Sequence, residues 1–244
     1  MDSGFYAACS GLAAKARQLE AAAHNLANLG TTAYKAQNVT FRSELVRASR
    51  MSSQLNVALN EFGVTGSPQL DLDPGTLEST GNDLDLAIEG PGFLTMQTTS
   101  GPTFTRNGHL RLSTAGELLG IDGSPVLGEA GPIQVPPGVA KLQVSADGTL
   151  SANGALLAKL RLVEFADPTS LTELAPGNFV SQVAPRAATS SSVRQGALEA
   201  SNVNGVEAAV GLIAIQRHAE MLQRAMSIFH SEFNRIAAGE LSRI

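Results

Sequence analysis

Residues 202–239 read NVNGVEAAVGLIAIQRHAEMLQRAMSIFHSEFNRIAAG, and no proline interrupts them. Apolar side chains recur here at alternating steps of four and three, the spacing that turns one face of a helix towards a partner helix. These apolar positions are Ala208, Leu212, Ile215, Ala219, Leu222, Met226, Phe229, Phe233 and Ile236. On the polar side, Glu220 precedes Arg224 by one helical turn. We predict a helix of about 37 residues, roughly 55 Å long, that needs another helix to cover its apolar face.

The N-terminal residues repeat this spacing and supply a candidate partner helix. Their apolar positions are Phe5, Cys9, Leu12, Ala16, Leu19, Ala23 and Leu26, which cover about 25 residues or about 40 Å of helix. Asn28 and Gly30 follow, and such residues commonly end helices. We therefore predict that the two chain ends pair as coiled-coil-like helices. The side chains predicted to carry helix packing and assembly are Phe5, Leu12, Leu19, Leu26, Leu212, Ile215, Leu222, Met226, Phe229, Phe233 and Ile236.

The middle of the chain follows a different pattern, in which apolar and polar residues alternate along short segments. The predicted strands are 84–88, 93–97, 103–105, 110–113, 117–119, 125–127, 133–135, 142–145, 149–151 and 156–165. The dipeptides that can supply the positive φ of tight turns are Asn107-Gly108, Asp122-Gly123 and Asp147-Gly148. Many short strands at close spacing are typical of an antiparallel sandwich or barrel.

Together these patterns predict an α+β fold in which paired terminal helices bracket an inserted, mostly antiparallel β domain. The predicted divisions are residues 1–35 with 197–244 for a discontinuous helical domain, 36–82 for a connecting segment, and 83–196 for the β domain with its return linker. Within them, we expect a short helix near 40–47 and a serine-rich linker at 189–194.

Charge and composition exclude several classes of function. The 244 residues carry a net charge of −5 with 17 Lys and Arg, whereas phosphate binding needs a concentrated basic patch, so we expect no nucleic-acid partner. The single cysteine, Cys9, cannot form an intramolecular disulfide. No run reaches the roughly 18 apolar residues of a membrane span. Because Asp2, Ser10 and Gly11 do not fit a secretory signal, we expect a chain that stays in the cytoplasm or leaves it without signal cleavage.

No residue pattern supports catalysis or metal binding. The four histidines, which never lie three or four residues apart as helical metal ligands do, are His24, His109, His218 and His230. Asp71 and Asp73 begin a possible calcium loop, but Pro74 breaks its geometry. Asp83 and Asp85 leave a hydrolase as one alternative, but we interpret them as solvated strand positions because they lack a partner motif. The sequence therefore predicts no catalytic residue, no metal and no cofactor.

Four motifs, in the order found here, resemble those of bacterial flagellar basal-body rod and hook proteins. They are Asn25-Leu26-Ala27-Asn28 with Tyr34-Lys35, LAIEGPGF at 86–93, FTRNG at 104–108, and Leu198-Glu199-Ala200-Ser201-Asn202-Val203-Asn204. The chain departs from the family pattern at His24, where a second Asn is usual, and at Ala33, where Gly commonly stands. If position 33 needs a positive φ, alanine there costs about 1 kcal/mol.

This resemblance implies a non-enzymatic structural subunit of the flagellar rod, exported by the flagellar type III apparatus and polymerised helically in the periplasm with itself and other rod proteins as part of a torque-transmitting drive shaft. Met1-Asp2 and residues 128–133 resemble proximal rod members more than distal ones. The alternatives are a distal rod or hook-type protein of the same family and, from another class, a secreted binding module on a coiled-coil stalk. The motif residues that the resemblance singles out are Asn25, Leu26, Ala27, Asn28, Tyr34, Ser201, Asn202, Val203 and Asn204.

Overall fold

A computed structural model of the chain describes residues 2–43, 64–139 and 141–241, and it places side chains over 9–39, 69–139 and 141–228 apart from residue 168, with Ser231 and Arg235 beyond them. Two α-helices lie in this described part of the chain. Helix α1 spans Asp2–Ala27 and helix α2 spans Gly205–Leu241. Helix α2 contains 37 residues, so its predicted length is confirmed. The α+β class is confirmed as well.

Helix α2 begins at a residue that can cap it. Asn204 Oδ1 accepts hydrogen bonds from the backbone N–H groups of Val206 at 3.1 Å and Glu207 at 3.3 Å. These bonds satisfy donors that the first helical turn leaves unpaired. The carboxylate of Glu207 lies in that turn, where the helix dipole favours a negative charge.

The turn after α1 contains a strained backbone position. Helix α1 ends at Ala27, and the N–H of Thr31 donates to the carbonyl of Asn28 at 3.1 Å. The positive φ of the turn falls on Ala33, at +57°, rather than on Asn28 or Gly30. Ala33 is also fully buried. Alanine therefore occupies a left-handed conformation here, with the expected cost of about 1 kcal/mol.

The strands described are short and follow one another closely. They are β1 (Gln37–Ser43), β2 (Val64–Leu70), β3 (Leu77–Ser79), β4 (Leu86–Glu89), β5 (Phe93–Thr98), β6 (Gly101–Thr105), β7 (Arg111–Leu112), β8 (Leu118–Leu119), β9 (Leu127–Gly128), β10 (Gly131–Pro132), β11 (Leu142–Val144), β12 (Thr149–Ala152), β13 (Ala155–Lys159), β14 (Leu162–Glu164), β15 (Leu171–Ala175), β16 (Asn178–Ser181), β17 (Arg186–Ala187), β18 (Ser192–Gln195) and β19 (Ala197–Glu199). A single 3₁₀ turn at Pro168–Ser170 precedes β15 in the described chain.

The largest sheet contains six antiparallel strands in the order β15-β16-β6-β5-β14-β17. A three-stranded antiparallel sheet follows the order β11-β12-β13. Two further pairs join late strands to early ones, since β18 pairs with β4 and β19 with β3. The last segment before α2 is thereby hydrogen-bonded to the first strands of the middle region.

Four local expectations were wrong. The strand expected at 133–135 does not form, and Gln134 makes only an isolated bridge with Glu117. Strand β1 occupies 40–43 of the expected helix at 40–47, whose other residues lie outside the described chain. Strand β18 occupies part of the expected linker at 189–194, because its backbone pairs with β4. Asn107-Gly108 makes no positive-φ turn; Gly108 instead allows close approach, since a methyl group there would collide with the carbonyl oxygen of Leu86.

The chain divides into two compact units. The helical unit comprises Met1–Leu26, Gln37–Gln69 and Asn204–Ile244, and the β unit comprises Ala27–Ala36 and Leu70–Val203. The divisions predicted from the sequence stay predictions. They differ from this one in the placement of 27–35, 70–82 and 197–203, which the contacts assign to the β unit, and of 37–69, which the contacts assign to the helical unit.

The apolar core of the β unit has two parts. The larger cluster gathers buried apolar residues from several strands, including Leu86, Leu94 and Leu150. The smaller cluster consists of Phe93, Phe104, Val163, Leu171 and Phe179. Edge-to-face ring contacts at 5.7 Å (Phe93–Phe165), 5.8 Å (Phe93–Phe179) and 4.9 Å (Phe104–Phe165) order this second cluster.

Candidate functional site

Two contacts bring α1 and α2 together within the helical unit. Cys9 Sγ lies 3.7 Å from Met226 Sδ. A methyl group at Gly11 would lie 3.7 Å from Leu222 Cδ1. Position numbers rise along α1 as they fall along α2, so the two helices run antiparallel at this contact.

Small residues dominate the α1 face that approaches α2. Besides Gly11, the residues Ala21 and Ala22 line a shallow cleft of about 430 Å³ together with Gly211 and Ala214 of α2. Ala21, which lies outside the predicted apolar seam, is only 8 % exposed. Small side chains let helix axes approach closely.

The predicted packing residues take intermediate positions. Those with a described side chain are all half-buried, namely Leu12, Leu19, Leu26, Leu212, Ile215, Leu222 and Met226. Ala16 and Ala23, also on the predicted seam, are exposed. The side chains of Phe5, Phe229, Phe233 and Ile236 lie outside the described residues. Their role in assembly stays a prediction.

A second apolar face on α2 is open to solvent. Its large side chains and their exposed fractions are Val206 (76 %), Val210 (63 %), Ile213 (51 %), Met221 (56 %) and Ile228 (66 %). Half of the exposed large apolar side chains in the described chain therefore lie on one side of one helix. Exposed apolar side chains gathered on one side of a helix mark an interaction site more often than isolated exposed residues do.

The motif asparagine Asn25 holds the start of β1 within the helical unit. Its Nδ2 donates to the carbonyl of Gln37 at 2.9 Å, and its Oδ1 accepts from the N–H of Gln37 at 2.8 Å. The carboxamide therefore pairs with the Gln37 backbone as a neighbouring strand would. A longer or charged side chain at position 25 cannot make this reciprocal pair.

The second motif asparagine, Asn202, connects separate passes of the chain in the β unit. Its Oδ1 accepts from the N–H of Ala36 at 2.8 Å, and its Nδ2 donates to the carbonyls of Asp71 at 2.9 Å and Asp73 at 3.1 Å. The N–H of Asn202 also donates to the carbonyl of Tyr34 at 3.3 Å. One carboxamide thus hydrogen-bonds three backbone groups from separate passes of the chain.

The other motif residues lie near these two asparagines in the sequence. Ser201 Oγ accepts from the N–H of Val203 at 3.3 Å. Tyr34 is fully buried, and burial raises the pKa of its phenol, with Glu173 adding to the shift. Leu26 is half-buried and Ala27 is exposed. These residues support the turns at which the chain passes to and from its terminal helices.

The carboxylate of Glu199 forms the centre of a buried polar cluster, the Glu199 junction, made of Lys35, Gly75, Arg106 and Glu199. Glu199 Oε1 accepts from Lys35 Nζ at 2.6 Å and from the N–H of Gly75 at 2.9 Å, and Oε2 accepts from Arg106 Nε at 2.7 Å. The side chains of Lys35 and Glu199 are 0 % exposed, and that of Arg106 is 2 % exposed. Every element of this cluster belongs to the β unit.

Backbone carbonyls complete the coordination of the two cations. Arg106 Nη1 donates to the carbonyls of Gly90 and Gly92, both at 2.8 Å, and Nη2 donates to that of Ile88 at 2.9 Å. Lys35 Nζ donates to the carbonyl of Asp73 at 2.7 Å. Burial lowers the pKa of the Lys35 ammonium, and the neighbouring carboxylate of Glu199 opposes that shift.

This geometry makes the junction costly to break. A buried ion pair adds little net stability over an apolar core, but removal of one partner leaves an uncompensated buried charge that costs about 3–5 kcal/mol. Glu199 is the only carboxylate hydrogen-bonded to Lys35 and Arg106 among the described side chains. Its loss would leave two cations facing each other in a site from which water is excluded.

Sequence reasoning missed this junction, although its charges stand inside the quoted motifs. Lys35 follows Tyr34, Arg106 lies in FTRNG, and Glu199 precedes the C-terminal asparagines. The signal that could have found them is a single charged residue in each of three otherwise uncharged motifs, two of them cations and one an anion. Pairing across 164 and 93 residues leaves no periodic trace.

The remaining candidates give no active site in the described chain. Asp83 is exposed, but the expectation of a solvated Asp85 was wrong: it is 3 % exposed and lies 2.9 Å from His109 Nδ1, with Asn82 Nδ2 donating to it at 3.0 Å. Asp71 Oδ1 accepts from the N–H of Asp73 instead of facing a metal. Within residues 2–43, 64–139 and 141–241 there is no cluster of three metal-ligating side chains, and no helix there is apolar enough over 18 residues to cross a bilayer.

Comparison with protein families gives three matches along the chain. Residues 5–35 match the family "Flagella basal body rod protein", residues 87–152 match "Flagellar hook protein FlgE/F/G D1 domain", and residues 194–236 match "Flagellar basal body rod FlgEFG protein C-terminal". These ranges contain the four quoted motifs almost completely. The motifs therefore stand where the family places them.

Individual relatives match over nearly the whole chain. The flagellar basal-body rod protein FlgF of Escherichia coli is 33 % identical over 93 % of this chain and 94 % of the relative. FlgF of Caulobacter vibrioides is 30 % identical over 100 % of both chains. FlgG of Caulobacter vibrioides is 29 % identical over 90 % of this chain and 92 % of the relative. The chain belongs to the flagellar basal-body rod protein family, and it is a structural subunit of the rod in the bacterial flagellar basal body.

Proposed function

We propose that this chain polymerises helically through its terminal helices, with copies of itself and with other rod proteins, to form part of the torque-transmitting drive shaft. The observation that carries the proposal is the open apolar face of α2, whose five large side chains are 51–76 % exposed. An apolar face this long is unfavourable in water and is covered when subunits associate. The helices pair as coiled-coil-like elements, partly within one subunit and partly between subunits.

Contacts between different faces of identical subunits build a filament instead of a closed dimer. Such heterologous contacts repeat indefinitely when the rotation between subunits does not close a ring. The half-buried leucines of both helices, such as Leu19 and Leu222, supply further surface for these contacts. The assembly residues named from the sequence therefore keep their proposed role, including those outside the described side chains.

In this proposal the Glu199 junction transmits force between the chain segments of one subunit. Lys35 lies eight residues after the end of α1, and Glu199 lies six residues before the start of α2. One carboxylate thus ties together the two chain segments that connect the β unit covalently to the terminal helices. A force that enters the β unit through either segment is shared by both, because a buried, fully hydrogen-bonded ion cluster resists local opening.

The subunit is the proximal member of the family in this proposal. Relatives named FlgF are 30–33 % identical to the chain, whereas those named FlgG are 26–29 % identical. The proposed partners are other rod proteins and the flagellar type III export apparatus, with assembly in the periplasm and no enzymatic activity, nucleic acid or membrane insertion. No described contact favours the stalked binding module.

Deletion of the gene tests this function. In the bacterium that carries it, imaging of the axial structure is expected to show growth that stops before the distal rod, together with loss of motility. Return of the unaltered gene restores both. A complete rod in the deletion strain would contradict the proposal, and a rod that stops only at the hook would contradict the proximal assignment.

A further inference from the structure

We propose that the open face of α2 docks on an alanine-rich face of α1 from a second copy of this chain, with Arg217 paired to Glu20 across the contact. The inference rests on the proposed function and deepens it by naming the two faces. The outer face of α2 consists of Val206, Val210, Ile213, Arg217, Met221 and Ile228. The alanine face of α1 consists of Ala13, Ala16, Glu20 and Ala23.

The side chains of the two faces are complementary in size. Every residue of the alanine face is exposed, and so is every residue of the outer face of α2. Members of the alanine face follow one another at steps of three and four, and those of the outer face do so as far as Met221, with Ile228 seven residues further on, so each face is a straight stripe along its helix. Large side chains on one helix fit against small ones on the other, since alanine lets the helix axes approach.

The two faces also match in charge. Arg217 lies four residues after Ile213 and four before Met221, so a cation interrupts the apolar stripe of α2. Glu20 lies four residues after Ala16 and three before Ala23, so an anion interrupts the stripe of α1. Neither residue forms an ion pair within the described side chains. Opposite charges at matching places in two stripes fix the register of a contact.

The geometry of one chain prevents this contact from forming internally. Within the helical unit, α1 and α2 already meet through the faces that contain Gly11 and Leu222. Glu20 and Arg217 lie outside that contact and are exposed. The two outer faces are therefore available only to other molecules, and since one chain carries both of them, a second copy supplies the complementary face at each end. The result is a heterologous contact that continues from copy to copy.

Charge reversal in the full-length chain tests the pairing. Sedimentation velocity at rising protein concentration is expected to show that Glu20→Arg and Arg217→Glu each weaken self-association at least about tenfold, because like charges then face each other. The double variant is expected to associate as the unaltered chain does. Lys141→Glu, an exposed reversal in the β unit, is the control and leaves association unchanged. Singles that associate normally, or a double variant without recovery, would overturn the proposal.

Cysteine pairing tests the geometry directly. In a Cys9→Ala background, a Glu20→Cys chain is mixed with an Arg217→Cys chain and oxidised, and a mixed disulfide is expected as the main product. A Glu20→Cys chain mixed with a Gln223→Cys chain is the control, since Gln223 is exposed on another side of α2. Equal yields from the two mixtures would mean random collision and would overturn the assigned faces.

Failure of the Glu20–Arg217 contact can be distinguished from failure of the proposed function. If the deletion strain lacks the rod but the single charge-reversal variants restore it, the rod function stands and the Glu20–Arg217 contact is wrong. If the singles fail and the double variant also fails, the partner face belongs to another axial protein, and the second copy is overturned. If deletion leaves a complete rod, the proposed function itself fails.

Discussion

The helical unit and the Glu199 junction differ in how completely their side chains are buried. In the helical unit, the leucines of both helices are half-covered and a whole face of α2 is open. In the junction, the charged side chains are at most 2 % exposed, and no buried side-chain polar atom in the described chain lacks a hydrogen-bond partner. A single chain therefore buries and pairs the groups of the junction completely, whereas part of its helical surface is covered only on assembly.

This contrast predicts different responses to mutation. A substitution in the junction removes a group whose partners cannot reach water, so the single chain loses stability. A substitution on the helices removes surface that is only partly covered, so the single chain changes little and assembly suffers.

Glu199→Gln is expected to have the largest effect. It leaves Lys35 and Arg106 buried without a counter-charge, which costs about 3–5 kcal/mol of unfolding free energy. Urea unfolding followed by circular dichroism measures the loss. Glu78→Gln, an exposed change on the paired strand β3, is the control and stays within about 0.5 kcal/mol. Equal midpoints for the two variants would show that the junction carries no special stability.

Gly75→Ala tests the junction from its backbone side. A methyl group at Gly75 would collide with the carbonyl oxygen of Ala200, and Gly75 must keep its N–H on Glu199. The backbone has to shift, at a cost of about 1–3 kcal/mol. Gly30→Ala is the control, since nothing lies within 4 Å of its added methyl group. An equally stable Gly75→Ala variant would mean that the two segments separate without penalty.

Leu222→Ala tests the half-buried helices. Leu222 is half-buried in the single chain, so its truncation is expected to cost about 1 kcal/mol there, against about 2–5 kcal/mol for the fully buried Leu150→Ala. Rod assembly is nevertheless expected to fail, because the remaining contact area recurs in every subunit. Thermal unfolding and electron microscopy of basal bodies measure the two effects. Intact rods and normal motility in Leu222→Ala cells would show that the apolar seam of the helices is not needed for assembly.

Ala33→Gly is expected to have the smallest effect. Glycine relieves the strain of φ +57° but loses a buried methyl group and frees the unfolded chain, so the stability change stays within about 0.5 kcal/mol. Ala87→Gly, which is equally buried but has no positive φ, is the matched comparison and is expected to lose about 1 kcal/mol or more. Equal losses in thermal unfolding would mean that Ala33 is not strained.

The elements that the sequence predicted correctly are those with a local cause. The length of α2 follows from its uninterrupted apolar period. The turns at Asp122-Gly123 and Asp147-Gly148 have the expected positive φ at glycine. The strain at Ala33 was also predictable, because a family position that prefers glycine indicates a left-handed backbone.

The features that the sequence concealed depend on partners far along the chain. Strand β18 contains only one apolar residue, Val193, and becomes a strand because β4 offers it hydrogen bonds. Gly108 looked like a turn residue but serves a close backbone approach. Glu199 resembled an ordinary exposed glutamate, since nothing local indicates that Lys35 and Arg106 converge on it. Tertiary contacts decided each of these cases.

Hydrogen exchange on the purified full-length chain tests whether α2 stays incompletely packed until subunits assemble. Backbone amides of α2 over 205–228 are compared with those of β5, β6 and β16 by mass spectrometry, in the dilute chain and again in isolated rods. We expect exchange in α2 to be at least about a hundredfold faster than in the strands when the chain is alone, and α2 to be strongly protected in rods. Amides of α2 that are as protected as the strands in the dilute chain would contradict a helix left incomplete until assembly.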